Sequence, residues 1–217
     1  DAVSMFGDWF TYVAVGVLAL EADSGLWAVA FVLLAHTLPR AALAPLGGRL
    51  ADRHDRRALM VVGSLLRALA VAAMIAAATA SSTTWLAALL CLRMGLSAVV
   101  EPAASAALPQ LVPLPLVGPA NAWIGATWSV VFGLGVVVGG AVTAWVGPIA
   151  AMAIDAGTFV IAAAIFATLP ALAPGPEAPR RAPLGEAWAH LRRDRQAMRG
   201  ALAKTPVALA NGGAWVL

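Results

Sequence analysis

The stretch Gly48-Arg49-Leu50-Ala51-Asp52-Arg53-His54-Asp55-Arg56-Arg57 sets four arginines, one histidine and two aspartates between two long apolar runs. Such a charge knot suits a nucleic-acid patch, a solvated loop, or a working turn of a membrane protein. Composition separates the three. The chain of 217 residues is 61% hydrophobic and 12% charged, with a mean hydropathy of +0.85. Soluble domains carry roughly 45–50% apolar and about 25% charged residues. Apolar stretches long enough to cross the roughly 30 Å hydrocarbon core recur along the chain. The sequence therefore predicts a multi-pass, all-α membrane protein.

The formal charge of +3 and a pI near 10.0 would suggest nucleic acid in a soluble chain. Here the placement of the charges says more than their sum, and no nucleic-acid partner is expected. The 13 Arg and single Lys point to a GC-rich, bacterial coding sequence. Cys91 lies inside an apolar run and is the only cysteine, so no internal disulfide forms and the residue reads as a small hydrophobe. The first apolar run starts at once after Asp1 without a basic lead-in, unlike a signal peptide. The last, from about Thr205 to Leu217, is too short to span. A piece of a longer protein is expected.

Working outward from the knot, six spans are predicted: about 2–20, 26–50, 58–80, 85–108, 122–146 and 149–169. A proline-rich loop, Pro109 to Pro119, follows the fourth span, and Asn121 is read as the N-cap of the fifth. The turns after spans one, three and five hold no Lys or Arg. The turn after span two holds Arg49, Arg53, Arg56 and Arg57, and the segment after span six holds seven basic residues from Arg180 to Lys204. By the positive-inside rule the even-numbered turns and the N-terminus are cytoplasmic. The domain reading is a six-helix bundle over 1–169, a cytoplasmic linker with an amphipathic helix over 170–204, and the start of a seventh span over 205–217. The helix, from about Leu184 to Leu202, suits either the anionic leaflet or the underside of the bundle.

HExxH, Walker A, GxSxG and CxxC patterns are all missing, so an enzyme is not expected, nor a cofactor or metal. Gly133 to Gly139 superficially resembles a dinucleotide loop, but it lies inside a span with no strand before it. Its glycines suit helix packing instead: Gly125, Ser129 and Gly133 repeat every four residues, as do Gly135 and Gly139.

Ionisable residues inside spans are costly and mark function by default. Asp8, His36, Arg40, Arg67, Arg93, Glu101 and Asp155 all fall there. His36, Arg40 and Gly47 share one helix face. Arg93 and Glu101 lie about 80° apart at 100° per residue, so both could reach one cavity. Acids and bases balance closely enough to pair Asp8 or Glu101 with Arg40 or Arg93. Arg67 is expected to snorkel toward the cytoplasm, and His36 to hydrogen-bond a neighbouring helix. Within the knot, Asp52 ends one helix and Arg56 and Arg57 begin the next. Each stands against its own helix dipole, which predicts partners elsewhere in the fold.

At the knot the sequence resembles the major facilitator superfamily. Gly48-x-Leu50-Ala51-Asp52-Arg53-x-x-Arg56-Arg57 is similar to that family's signature between helices two and three, with Asp55 where glycine is usual. Gly7-Asp8-Trp9, Leu38-Pro39-Arg40, Pro102-Ala103, Leu108-Pro109 and Ala120-Asn121 resemble its multidrug, macrolide and enterobactin exporter branch. Arg93 stands at the family's helix-four arginine linked to proton coupling. Gly135-Val136-x-x-Gly139-Gly140 resembles the helix-five antiporter signature, with Val136 in place of its proline.

The resemblance implies the first half of a two-half transporter, built from two inverted three-helix repeats that rock around a midplane site. It implies a conformational gate at Gly48, Asp52, Arg53, Arg56 and Arg57, with Asp52 latching onto the second half. Asp8, Arg40, Arg93, Glu101 and Asp155 would serve proton coupling or the substrate cavity, and Gly135, Gly139 and Gly140 helix packing. A buried carboxylate holds its proton more tightly than one in water, as coupling near neutral pH requires. The expected partners are the bilayer, protons, a small-molecule substrate and the C-terminal half. The expected place is the bacterial inner membrane. An importer, or a transport-inactive sensor or assembly protein of the same fold, is the alternative.

Overall fold

A computed structural model describes residues 2–21, 25–173, 189, 192–194, 196, 198 and 199. The chain divides into two compact units, Asp1–Gly175 and Pro176–Leu217. The first holds six long helices: α1 (Ala2–Glu21), α2 (Gly25–Arg53), α3 (Arg56–Thr79), α4 (Thr83–Leu111), α5 (Val117–Val146) and α6 (Pro148–Ala167). The described residues contain no strand. At a rise of about 1.5 Å per residue even a 20-residue helix reaches about 30 Å, the thickness of the apolar bilayer core. All but α2 are long and apolar enough to cross a membrane by length and composition, among the described residues. The 29-residue α2 is equally long and packs chiefly on α4.

Helix boundaries follow local chemistry. Gly147 adopts a left-handed φ of 82° between α5 and α6, a conformation that suits glycine. Pro148 then opens α6 at a position where no amide donor is needed. The proline-rich link after α4 is much shorter than the sequence suggests. Helix α4 runs through Pro109 to Leu111, a 3-10 turn covers Leu114–Leu116, and α5 starts at Val117. Pro119 sits in the first turn of α5, where proline is tolerated. Asn121 is therefore inside the helix, its side-chain amide donating to the Val117 carbonyl at 3.0 Å, and Leu116 occupies the cap.

Packing carries the repeat. Helix α2 packs on α4 as α5 packs on α1, α3 packs on α4 as α6 packs on α1, and α3 meets α6. Exchanging the first three helices for the last three reproduces these five contacts, as two inverted three-helix repeats require. One core cluster gathers around Val71, Met74, Leu90, Met94, Met152 and Phe159. A second gathers around Ala51, Met60, Val100, Ala103, Phe166 and Leu172.

Close approaches of α2 and of α5 to their neighbours depend on glycine. A methyl at Gly47 would overlap the Ala98 carbonyl, so α2 meets α4 backbone to backbone. Methyls at Gly135 and Gly139 would meet the ring and carbonyl of Trp9, so α5 meets α1 through the Trp9 side chain. Gly140, also expected to pack, has no close neighbour among the described residues: a side chain there would meet nothing within 4 Å, and the same holds at Gly125 and Gly133. Helix α5 buries a single stripe, Val131, Gly135, Gly139 and Thr143, and the other glycines lie off it.

In the second unit the predicted continuous helix over 184–202 is broken at Asp194. The Asp194 carboxylate accepts the Gln196 amide N–H at 2.8 Å, and its carbonyl accepts that of Met198 at 2.9 Å, the behaviour of an N-cap. The rest of that helix and the predicted seventh span lie outside the described residues.

Candidate functional site

The tripeptide Gly7-Asp8-Trp9 sends successive side positions of α1 to three neighbours. Gly7 leaves room for Asp155 and Thr158 of α6, where a methyl would collide with both side chains. Asp8 turns to Arg93 of α4, and Trp9 fills the notch left by Gly135 on α5. One turn later, Thr11 donates its hydroxyl to the Asp155 carboxylate.

Arg93 is the hub. Its side chain is 0% exposed, and its Nη2 donates to Oδ1 of Asp8 and, at 3.1 Å, to Oδ2 of Asp155, itself 0% exposed. Asp8 is the accessible partner, with 29% of its side chain exposed. Asp155 is held further by Thr158, whose hydroxyl donates to the Asp155 carbonyl at 2.7 Å. Arg93 Nε and Nη1 make no hydrogen bond among the described residues.

Arg67 does not snorkel. It is 3% exposed, with long contacts of 3.5 Å to the hydroxyls of Ser64 and Ser97, and its guanidinium carbon lies 4.4 Å from the Phe159 ring centre. Arg93 approaches the same ring at 5.2 Å. At the twelfth of 24 residues of α3, Arg67 is too deep for its stem to reach the interface. A π face and two hydroxyls replace the water it cannot reach.

Arg40 and Glu101 form a separate pair at 3.1 Å, with side chains 45% and 47% exposed, joining α2 to α4. Arg93 and Glu101 thus face different neighbours despite sharing a helix. His36 meets the Tyr12 ring edge-on at 5.0 Å, and its Nδ1 makes no hydrogen bond among the described residues. The Tyr12 ring continues to Trp9, Phe132 and Trp128 with centroid spacings of 5.6, 5.4 and 5.1 Å. These rings link α2, α1 and α5 in one file, which the sequence did not reveal because they come from helices far apart along the chain.

The charge knot finds partners in the α6 end of the unit. Asp55 caps α3, accepting the Arg57 amide at 2.9 Å, and also accepts the Leu172 amide at 3.0 Å. The Leu172 carbonyl accepts the Arg56 amide at 3.2 Å, and Arg57 Nη2 donates to the Ala167 carbonyl at 2.6 Å. Arg57, unfavourable at the start of α3, is thereby favourable at the C-terminus of α6. Gly48 is buried, Asp52 half-buried and Arg53 exposed, while Arg56 is 8% exposed. The sequence singled out Asp55 only as a departure from the usual glycine. Asp55→Ala should remove a cap and leave the Leu172 amide unpaired, together destabilising the unit by about 2 kcal/mol. Thermal unfolding would measure the loss, and faster amide exchange at residue 172 would locate it.

Membrane-length helices in two related triplets, enclosing a buried charge centre, define a multi-pass membrane protein. The sequence matches the Major Facilitator Superfamily over residues 2–216, and the chain belongs to that family. It is therefore a membrane transporter. Comparison with curated proteins and with solved structures returns no match.

Proposed function

We propose that the protein is a secondary active transporter that exports drugs or siderophore-like small molecules in exchange for protons, by alternating access, as in the multidrug, macrolide and enterobactin exporter branch it resembles. The observation that carries this reading is Arg93 shared between a sealed carboxylate, Asp155, and an accessible one, Asp8. An arginine held by two acids can yield one of them to a proton while keeping the other. That supplies a two-state element inside the bundle, on which coupling depends.

A second six-helix half, in the same protein or from a second copy, completes the cavity. The turn between α2 and α3 serves as the gate. Its charges anchor to the α6 end through Asp55 and Arg57, and Asp52 latches onto the second half in the inward-closed state. The basic residues of this turn and of residues 180–204 support a cytoplasmic side for both, and for the N-terminus, in what we read as a bacterial inner membrane.

The test is flux in sealed vesicles. With the whole protein reconstituted, an imposed pH gradient should drive uptake of labelled drugs or chelators, with matching proton movement seen by a pH-sensitive dye. Asp52→Asn should reduce that flux at least about tenfold, equivalent to about 1.4 kcal/mol on the transport barrier, while the protein stays in the membrane. Gradient-independent movement would sink the coupling, and undiminished flux in the variant would sink the latch.

A further inference from the structure

The centre formed by α1, α3, α4 and α6 contains two guanidiniums, Arg67 and Arg93, and two carboxylates, Asp8 and Asp155. Three of the four are sealed: Arg67 is 3% exposed, Arg93 0% and Asp155 0%. Asp8 alone has a substantially exposed side chain, at 29%. Of the neighbours, α2 adds His36 and, with α4, the self-compensated Arg40–Glu101 pair. Helix α5 carries no ionisable side chain.

An ion left in the interior without a counter-ion is strongly unfavourable. Two sealed guanidiniums therefore require two anionic groups. Asp155 is one, its carboxylate fixed by Thr11 and Arg93. The second has only to be an anion seated on Arg93, and Asp8 is the group able to swing out to water. Arg93 also has room for such an exchange in its chemistry. Its Nη2 serves both aspartates, while Nε and Nη1 have no partner among the described residues, and either of them can join Nη2 in a two-bond fork on a carboxylate that takes the place of Asp8.

From this balance we infer that the ligand of this centre is an organic anion, whose carboxylate or equivalent replaces Asp8 on Arg93, and that Arg67 determines this preference. A cationic ligand would instead have to draw Asp8 away, leaving Arg67 and Arg93 against Asp155 alone. With Arg67 removed the balance reverses. Arg93 and Asp155 would form a neutral pair, and Asp8 would be available to a cation. Arg67 suits the role because it has no carboxylate of its own among the described ion pairs, only Ser64, Ser97 and the Phe159 ring. Its charge is committed to the centre as a whole. The inference rests on the transporter reading for the route by which a ligand reaches Asp8, and on neither the direction of transport nor the coupling ion.

The test is equilibrium binding to the protein in lipid nanodiscs, with benzoate and benzylammonium as probes of similar shape and opposite charge. The wild-type protein should bind benzoate at least about tenfold more tightly, the difference expected when only one probe leaves the buried charges compensated. Arg67→Met should abolish or invert that ratio, and Arg67→Lys should preserve it. A packing role would weaken both probes alike and leave the ratio unchanged. Should Arg67→Met fail to fold by circular dichroism, Arg67→Gln carries the same comparison. Preference for benzylammonium, binding of neither probe, or an unchanged ratio in the neutral variant overturns the inference. The gradient-driven flux assay is scored separately, so persisting flux without anion preference removes this inference and leaves the transporter reading standing.

Discussion

Arg93→Leu is expected to abolish gradient-driven flux, lowering it at least about 100-fold, the rate equivalent of about 3 kcal/mol, and to destabilise the bundle by about 3–5 kcal/mol. The size follows from what stays behind. Asp155 is 0% exposed, and its carboxylate would keep Thr11 as its close hydroxyl donor, with the Thr158 hydroxyl 3.4 Å away and already donating to the Asp155 carbonyl. Asp8, with 29% of its side chain exposed, could turn to water and lose less. Most of the stability loss therefore belongs to Asp155, and Arg93→Leu combined with Asp155→Leu should be less destabilised than Arg93→Leu alone. Arg93→Lys should fall between, because one ammonium keeps the charge but not the planar, delocalised guanidinium whose Nη2 lies between the two carboxylates. Thermal unfolding in detergent and vesicle flux measure the two effects separately. A leucine variant with wild-type flux would remove Arg93 from the mechanism.

The same residues show how far a sequence can be read. The spans were legible because apolar runs of bilayer length leave little choice of structure, and the structure moves their ends by only a few residues. The exception is the start of α5, at Val117 rather than near Ala122, because proline and asparagine look like loop residues but are acceptable in a first helical turn. That Asp8, Arg93 and Asp155 need partners was legible too, since each is costly in a span. Their arrangement was less so. The sequence offered Asp8 a choice of arginines and put no partner on Asp155. The choice is made by helix rotation and depth, which depend on contacts such as Gly7 against Thr158 and Gly135 against Trp9.

Arg67 marks the limit most clearly. Periodicity allowed it to reach the interface, whereas the groups that retain it, Ser97 and Phe159, come from other helices. Asp55 is the converse case. Its replacement of a usual glycine was visible at once, but its meaning needed Leu172, 117 residues away. Gly140 shows that a motif position can be matched while its packing role is absent, because burial on α5 follows one four-residue stripe.

The second large effect concerns Asp155 and Arg67 together. Asp155→Leu should destabilise the bundle by about 3–5 kcal/mol, because two sealed guanidiniums would then share the single, partly exposed Asp8. Arg67→Met alone should be milder, about 1–2 kcal/mol, since the excess negative charge it creates can be relieved by Asp8 turning to water, and the methionine keeps most of the packing against Phe159. The double variant restores neutrality, with Arg93 facing Asp8 alone. Its loss should therefore fall short of the sum of the singles by about 1–3 kcal/mol, the range seen for residues in one charge network. The two side chains make no direct bond among the described residues, so contact chemistry would give additivity, whereas charge balance gives this shortfall. Unfolding midpoints of the four proteins in one detergent decide between them. Strict additivity would show that Arg67 is held by its ring and hydroxyls alone and takes no part in balancing the centre.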